Sequence, residues 1–290
     1  MDIKDLEIYR AVVNHKNVTK AALELNYVQS NVTSRLAKLE KEVGTSLFIR
    51  TNRGVLLTTA GERFLEYADK MLQLHREVVD SLSNCDTPSG QLAIGATDIT
   101  TAARLPAVLT AFLESFPLVE FSLVNGSSED LVQEVLKFNI DGAFITDTID
   151  QPKIAQERLI KEELVLISNQ EHPHVHTLKD LKNNTILVFK HGCTYRRKLE
   201  SWVQEEGVSV RKVEFGTIEG MIGCVKAGLG VALVSKLIAQ QLNTDNKLKF
   251  HSVPEEYRFV TTVFIRRHDI PMTNALQKFI EITKQRFLES

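Results

Sequence analysis

A predicted helix over Gln29–Val43 presents two kinds of polar side chain on its outward face. Short hydrogen-bonding groups, Ser30 and Ser34, lie near its amino end, and the cations Lys38 and Lys41 lie further along. Short polar side chains can approach base edges in the major groove of DNA, and cations can reach phosphates. This face therefore has the chemistry for nucleic-acid recognition, and an ordinary solvated helix surface is the alternative.

Two shorter helices are predicted to position this one. The residues Leu6, Tyr9 and Val13 recur at helical spacing, which predicts the first helix. The second is predicted over Thr19–Leu25, with Asn17 as its N-cap and a tight turn after it. The inward face of the third helix comprises Val32, Leu36, Leu39 and Val43, and Gly44 is the expected stop. Two short helices joined by a tight turn predict a helix-turn-helix.

A β-hairpin is predicted directly after the third helix. Its strands are Leu47–Arg50 and Val55–Leu57, and its turn is Thr51–Gly54. Such a hairpin can act as a wing that reaches phosphates or the minor groove beside the helix. The candidate DNA-contacting residues are Thr19, Gln29, Ser30, Asn31, Thr33, Ser34, Arg35, Lys38, Arg50 and Arg53.

The distribution of charge supports an anionic partner for the amino-terminal region. Residues 1–58 contain nine Lys and Arg against six Asp and Glu, a net charge of +3. The whole chain carries −2, so the remainder carries −5. The asymmetry is modest, but it agrees with the helix face and the hairpin.

A long helix is predicted from Thr59 to Leu82, capped by Thr58 or Thr59, with Glu62 able to close a capping box with Thr59. An apolar stripe runs along it at coiled-coil spacing, formed by Phe64, Ala68, Met71, His75, Val78 and Leu82, with Leu65, Leu72 and Val79 interleaved. The stripe predicts a dimerisation helix, and packing within the same chain is the alternative. A hinge is predicted over 84–90 by its composition.

The rest of the chain predicts an α/β region with a largely parallel sheet, since strand patterns alternate with helix patterns. They include a helix over 101–116 and a strand over 164–168. Length favours two domains, with 43% apolar and 25% charged residues, as in soluble globular proteins. No apolar run could span a bilayer, and no secretory signal or disulfide framework is evident, which indicates a cytoplasmic protein without a membrane partner.

The segment from Ala21 to Gly61 resembles the LysR-type transcriptional regulators. The matching positions are Ala21, Ala22, Leu25, Gln29, Ser34, Leu39, Glu40, Gly44, Leu47, Phe48, Arg50, Leu57, Thr58, Ala60 and Gly61. The spacing of LEKEVGTSLFIR before LTTAGE is specific to that pattern. Later segments, Gly192–Arg197 and Val225–Val231, also look like family segments, so the resemblance covers the whole chain. Asn31 stands where the family often has proline or alanine.

The resemblance implies a fold in three parts. A winged helix-turn-helix domain occupies residues 1–58, and a linker helix with a hinge occupies 59–87. An α/β effector-binding region of the type II periplasmic-binding-protein kind follows at 88–290. Within that region, lobe I covers about 88–163 and 266–290, and lobe II covers about 164–265.

The resemblance also implies partners and a second site. It implies binding to double-stranded promoter DNA as a homodimer or homotetramer, with RNA polymerase as a further candidate partner and no cofactor. A small-molecule effector, for which an anionic metabolite is one candidate, would bind between the lobes. The effector-binding residues implied are Thr97, Asp98, Thr100, Asn125, Ser127, Thr146, Cys193, Thr194, Tyr195 and Thr217.

Elementary chemistry supports part of that implied pocket. Each group of residues follows a predicted strand, where helix starts and hydroxyls can bind an anion, whereas simple helix capping is the alternative for single residues. Asp98 would repel a carboxylate unless a cation accompanies it.

Three other signals compete with this assignment. The histidines His172, His174 and His176 alternate around a proline, which is a poor metal-ligand pattern. Cys193 lies at a predicted helix start beside arginines, which favours the thiolate and makes redox sensing with Cys224 a hypothesis. A solute-binding protein would not explain the amino-terminal region, and no catalytic motif supports an enzyme.

Overall fold

The computed structural model describes residues 1–51, 54–82, 87–181 and 185–288. The chain divides into two compact units, Met1–Cys85 with Asp269–Thr273, and Asp86–His268 with Asn274–Ser290. Within the described ranges, every helix is too short or too polar to pass through a bilayer.

The first unit contains the predicted helix-turn-helix and hairpin. Its elements are α1 (Ile3–His15), α2 (Val18–Glu24), α3 (Gln29–Val43), β1 (Phe48–Thr51), β2 (Gly54–Leu57) and α4 (Thr59–Leu82). Asn17 caps α2 as predicted, since its side chain accepts a hydrogen bond from the Lys20 amide. Gly44 ends α3 with a φ of 78°, which confirms the predicted stop.

The core of this unit gathers around the Tyr9 ring. Tyr9 is fully buried, packs on Phe48 and Phe64 at 5.1 and 5.0 Å between ring centres, and donates a hydrogen bond to the Gly61 carbonyl at 2.8 Å. It therefore joins α1 to the hairpin and to α4. The prediction that Val43 faces inward was wrong: it is 39% exposed, because the chain turns away from the core at Gly44.

The apolar stripe of α4 is divided between two environments. Thr58 supplies the cap, as its hydroxyl oxygen accepts from the Gly61 amide at 2.9 Å. Ala68 and Leu72 are buried in the core of the unit, whereas Met71 and Val78 are 40% and 47% exposed. Intramolecular packing thus accounts for one part of the stripe and leaves the other part at the surface.

The second unit is a mixed α/β structure. Its strands are β3 (Gly90–Ala96), β4 (Val119–Asn125), β5 (Gly142–Thr146), β6 (Ile154–Asn169), β7 (Thr185–Phe189), β8 (Arg211–Phe215), β9 (Val231–Ser235), β10 (Leu248–His251) and β11 (Phe259–Arg267). Its helices are α5 (Asp98–Ala103), α6 (Leu105–Ser115), α7 (Ser128–Leu136), α8 (Thr194–Glu205), α9 (Ile218–Lys226), α10 (Lys236–Leu242), α11 (Glu255–Arg258) and α12 (Asn274–Leu288).

The strands follow the order β4-β3-β5-β11-β6-β9-β7-β8, with β10 also paired to β6. The pairs of β3 with β4 and β5, and of β7 with β8 and β9, are parallel. The pairs formed by β6 and β11 are antiparallel, so the sheet is mixed rather than largely parallel as predicted. We call the part built on β3, β4, β5 and β11 lobe I, and the part built on β7, β8, β9 and β10 lobe II; β6 belongs to both.

Two predicted elements differ from the structure for identifiable reasons. The helix expected over 101–116 is divided into α5 and α6 at Arg104, because Pro106 has no amide hydrogen to continue the helix from the preceding turn. The strand expected over 164–168 is the end of the 16-residue strand β6. The charged first part of β6 pairs with β11, and this pairing rather than an apolar run makes it a strand. Elements α10, β10 and α11 were not predicted.

A buried ion pair lies where β6 meets β11 and the start of α6. Glu162 of β6 and Arg104 are 7% and 8% exposed, and their closest charged atoms are 3.6 Å apart. The Thr262 hydroxyl donates to Glu162 at 3.1 Å. Breaking such a pair would leave one charge buried without compensation, which is strongly destabilising.

The hairpin is joined to the end of α1 by a close backbone contact. The Val55 amide donates to the Lys16 carbonyl at 3.0 Å. Gly54 has a φ of 136°, and a Cβ added there would lie 2.3 Å from that carbonyl oxygen. Only glycine fits this position without moving the wing.

We expect Gly54→Ala to lower the free energy of unfolding by about 2–4 kcal/mol, because the methyl group adds a backbone clash to an unfavourable φ. Gly44→Ala is the matched control: its φ is also positive, but nothing lies within 4 Å of the added Cβ. It should cost only about 1–2 kcal/mol. Urea denaturation measures both, and equal losses would contradict the proposed contact.

Candidate functional site

The outward face of α3 carries a continuous set of polar side chains. Gln29, Ser30, Asn31 and Ser34 are exposed near its amino end, and Thr33 is half-buried beside them. Lys38, further along, is also exposed. The Thr19 hydroxyl of α2 donates to the Gln29 side chain at 3.1 Å, which links the two helices at this surface. These residues lie together on one surface, as the sequence predicted.

Arg35 differs from its predicted neighbours because α1 holds it. Its guanidinium lies 3.1 Å from the buried Asp5 carboxylate and 3.2 Å from Asp2. Asp2 and Asp5 also form the capping box of α1. The guanidinium therefore fixes α3 against the start of α1, and this positions the polar face.

The wing is placed beside α3 by a carboxylate near the end of that helix. Glu40 accepts hydrogen bonds from the Leu47 and Phe48 amides at 2.7 and 3.1 Å. These bonds fix the start of β1, which carries the exposed Arg50. Arg53, the other predicted cation of the wing, lies outside the described residues.

A cavity of about 350 Å³ lies between the two lobes of the second unit. Eight of the ten predicted effector residues line it: Thr97, Asp98, Asn125, Ser127, Thr146, Cys193, Tyr195 and Thr217. Thr100 is instead buried below Thr97, with their hydroxyls 3.0 Å apart. Thr194 is buried as well, and its hydroxyl donates to the Thr146 carbonyl at 3.2 Å.

Sequence analysis missed eight other residues that line the cavity: Ile99, Gly126, Ser128, Asp130, Phe189, Lys190, Phe215 and Gly216. Most of them directly follow or end a strand. Because binding sites in α/β folds lie at the carboxyl ends of strands, the same rule applied to β7 and β8 would have found Lys190 and Gly216.

The helices that begin at the cavity are capped in different ways. Ser127 and Asp130 form a capping box on α7, and the Thr217 hydroxyl accepts from the Gly220 amide at 3.3 Å on α9. Ser127 and Thr217 therefore cap helices and also line the cavity, so the two interpretations do not exclude each other here. At the start of α8 the cap residue is Cys193, which supplies no side-chain oxygen.

Contacts that cross from one lobe to the other around the cavity include three at its edges. The Ile218 amide at the start of α9 donates to the Asp98 carboxylate at 2.9 Å. The Thr194 hydroxyl bonds to the Thr146 carbonyl. Gly192, with a φ of 85°, approaches Ser127 so closely that an added Cβ would lie 2.7 Å from its hydroxyl oxygen. The lobes are thus closed on each other at these points.

Burial raises the pKa of three titratable groups in the cavity. It raises the pKa of Asp98, against the opposing effect of the Ile218 amide bond. It also raises the pKa of the Tyr195 hydroxyl well above the usual value. For Cys193, burial outweighs the nearby helix amides and arginines, so its pKa is raised. The expectation of a thiolate was wrong, because the sequence shows the cations but not the burial.

The predicted histidine loop packs on a fourth histidine. His174 lies 4.6 Å from His176 and 5.1 Å from His251, measured between ring centres. His251 is buried, accepts from the Val175 amide at Nδ1 and has Nε2 at 2.7 Å from the Ser168 hydroxyl. Burial lowers the pKa of His251 to about 4. Among the described residues, no group of three or more His, Cys, Asp and Glu side chains could hold a metal ion. The ring contacts show that His174 and His176 pack on each other and that His174 packs on His251.

Comparison with known families covers nearly all of the chain. Residues 3–62 match the bacterial regulatory helix-turn-helix protein, lysR family, and residues 86–288 match the LysR substrate binding domain. The chain belongs to the LysR family of transcriptional regulators. It is therefore a DNA-binding regulator rather than an enzyme or a solute-binding protein.

Individual relatives agree with the LysR assignment. The chain is 44% identical to the HTH-type transcriptional regulator SoxR of Arthrobacter sp. (strain TE1826) over 285 residues, covering 98% of this chain and 97% of the relative. It is 38% identical to the HTH-type transcriptional regulator GltR of Bacillus subtilis (strain 168), covering 99% and 97%.

Solved structures of LysR-type regulators share the fold. A full-length OxyR variant from Pseudomonas aeruginosa has a TM-score of 0.78 at 17% identity, covering 99% of this chain and 94% of that one. Full-length CbnR complexed with its target DNA has a TM-score of 0.64 at 22% identity, covering 99% and 100%. At these identities the likeness concerns the fold alone.

We expect Cys193 to remain a thiol at neutral pH and to react slowly with iodoacetamide, about tenfold or more below its rate in the urea-unfolded chain. Its rate should still be rising at pH 9.0, the ordinary pKa of the group. Mass spectrometry of the labelled peptides measures this, with Cys193→Ser as the control for assignment. A rate that is high and constant from pH 7 would contradict the raised pKa.

Proposed function

We propose that this LysR-type regulator binds promoter DNA as a homodimer or homotetramer and that a small molecule in the cavity between the lobes changes how it binds. It acts in the cytoplasm, where promoters are found, and RNA polymerase is a further partner. The exposed face of α3 carries the proposal, because it combines short polar groups, a cation and an adjacent wing on one rigid unit.

Different parts of this surface have different roles. Ser30, Asn31 and Ser34 would contact base edges, since short side chains can enter the major groove. Lys38 and Arg50 would contact phosphates and so contribute affinity without sequence preference. Arg35, which α1 carboxylates hold, would position α3 rather than contact DNA.

The surface of the first unit also supports self-association. A groove of about 440 Å³ lies between the start of α1 and the exposed part of α4, lined by Met1, Asp2, Ile3, Leu6, Met71, Leu74, His75 and Val78. Leu74 is 57% exposed. A mostly apolar groove beside an exposed apolar helix face is typical of a helix that pairs with a second copy.

The cavity supports the regulatory part of the proposal. It lies between two lobes that share β6, and direct contacts between the lobes surround it. A ligand that fits these contacts better in one arrangement of the lobes than in another would shift the protein toward that arrangement.

We expect Arg50→Ala to weaken binding to all duplexes by a similar factor of about 3–10 and to reduce the salt dependence by about one counterion. Ser34→Ala should change the preference between sequences, by about 0.5–1.5 kcal/mol for the hydrogen bond that is lost. Footprinting and titration on DNA upstream of the gene, at several salt concentrations, measure both. Lys284→Ala on α12 is the control, since it removes a cation from the second unit.

Two outcomes would contradict this assignment of roles. If Arg50→Ala changed sequence preference and left affinity intact, the wing would not be a phosphate contact. If the wild-type protein bound no duplex at low salt, the proposed function itself would fail.

We expect Leu74→Glu to shift the protein toward monomers, because a buried carboxylate at the centre of a helix pair is costly. Sedimentation velocity at micromolar concentration measures the change. Leu229→Glu is the matched control, as Leu229 is an exposed leucine of the second unit, at 42% exposure. Equal association states for wild type and Leu74→Glu would exclude this groove as the interface.

A further inference from the structure

The cavity has an uneven distribution of charge. Asp98 and Asp130 are the acids of its lining, and Lys190 is the cation. Asp130 is engaged by Ser127, whose hydroxyl and amide both donate to one of its oxygens, at 2.7 and 3.3 Å. Lys190 is exposed at the rim, with its side chain next to Gly216. Asp98 is therefore the acid best placed to meet a ligand inside the cavity.

Asp98 already occupies the start of α9 in lobe II. Its Oδ2 accepts from the Ile218 amide, the first residue of the nine-residue helix α9. The start of a helix attracts anions because its amides are unpaired and its dipole is positive. A carboxylate on a ligand would have to displace Asp98 to bind there.

The second oxygen of Asp98 has no hydrogen-bond partner among the described residues, yet Asp98 lines the cavity. Its charge is only partly compensated, because burial disfavours it and the exposed Glu219 nearby adds repulsion. A cation beside this oxygen would relieve both effects.

We propose that the effector carries a protonated amine, which the second carboxylate oxygen of Asp98 binds, while the first oxygen keeps ligand carboxylates away from the start of α9. A carboxylate on the same effector would lie toward Lys190 at the rim. This inference rests on the proposed role of the cavity as the effector site. It replaces the expectation of an anionic metabolite with that of an amine, including a zwitterion such as a small amino acid.

The test uses the full-length protein and two probes with three carbon atoms each, propylammonium chloride and sodium propanoate, with sodium chloride as the ionic-strength reference. The readouts are the amide resonance of Ile218 in ¹⁵N-resolved spectra and the Tm. In the wild type, about 50 mM propylammonium should shift the Ile218 resonance and raise the Tm by about 1–3 °C. Propanoate should do neither.

Substitution of Asp98 should reverse this selectivity. In Asp98→Ala the amine effect should be lost, and propanoate should shift the Ile218 resonance because it can now bind at the start of α9. Asp98→Asn keeps the size of the side chain and an oxygen that can accept from the Ile218 amide, but it removes the negative charge. It should therefore fold and lose the amine effect even if Asp98→Ala does not fold. Glu219→Ala is the matched control, since it removes a neighbouring charge and leaves the Asp98 contact in place.

Three results would overturn the inference: no response of the wild type to propylammonium, an equal amine response in Asp98→Asn, or a wild-type Ile218 resonance that shifts with propanoate. None of these readouts involves DNA. Failure of DNA binding would instead reject the proposed function, and the two failures are therefore distinguishable.

Discussion

The pairing of β6 with strands on both of its sides is the constraint on which the second unit depends. Its first part is hydrogen-bonded to β11 in lobe I, and its last part to β9 and β10 in lobe II. One continuous strand thus carries both halves of the cavity. The buried Glu162, held by Thr262 and close to Arg104, lies along it. Any change in the angle between the lobes must be absorbed by this strand and its neighbours, so the lobes cannot move independently.

The two units illustrate two ways of positioning polar side chains. In the first unit, carboxylates fix a surface: Asp5 holds Arg35, and Glu40 holds the start of the wing. In the second, strand ends and helix starts converge on an enclosed space. The first arrangement favours contact with a large, rigid partner, and the second favours a ligand small enough to be surrounded.

Local patterns in the sequence were sufficient for the helix-turn-helix, because helical spacing, Asn17 and Gly44 act within a few residues of each other. They were insufficient where distant pairing decides the structure. The charged first part of β6 becomes a strand only through β11, and the pKa of Cys193 is raised because the folded lobes bury it. Half of the residues that line the cavity were predicted, because their family resemblance and their positions after strands agreed. The direct bond from Ile218 to Asp98 joins residues far apart in sequence, and no local pattern indicates it.

The close approach of Gly192 to Ser127 has a genetic consequence. The absence of a side chain at Gly192 lets the loop before α8 touch lobe I. Any other residue there would press on the Ser127 side chain and would be strained by the φ of 85°. A single-nucleotide change at this codon would therefore disturb the contact between the lobes at Ser127 and leave the DNA-binding surface unchanged. Selections for regulators that no longer answer to their signal should recover substitutions at this glycine.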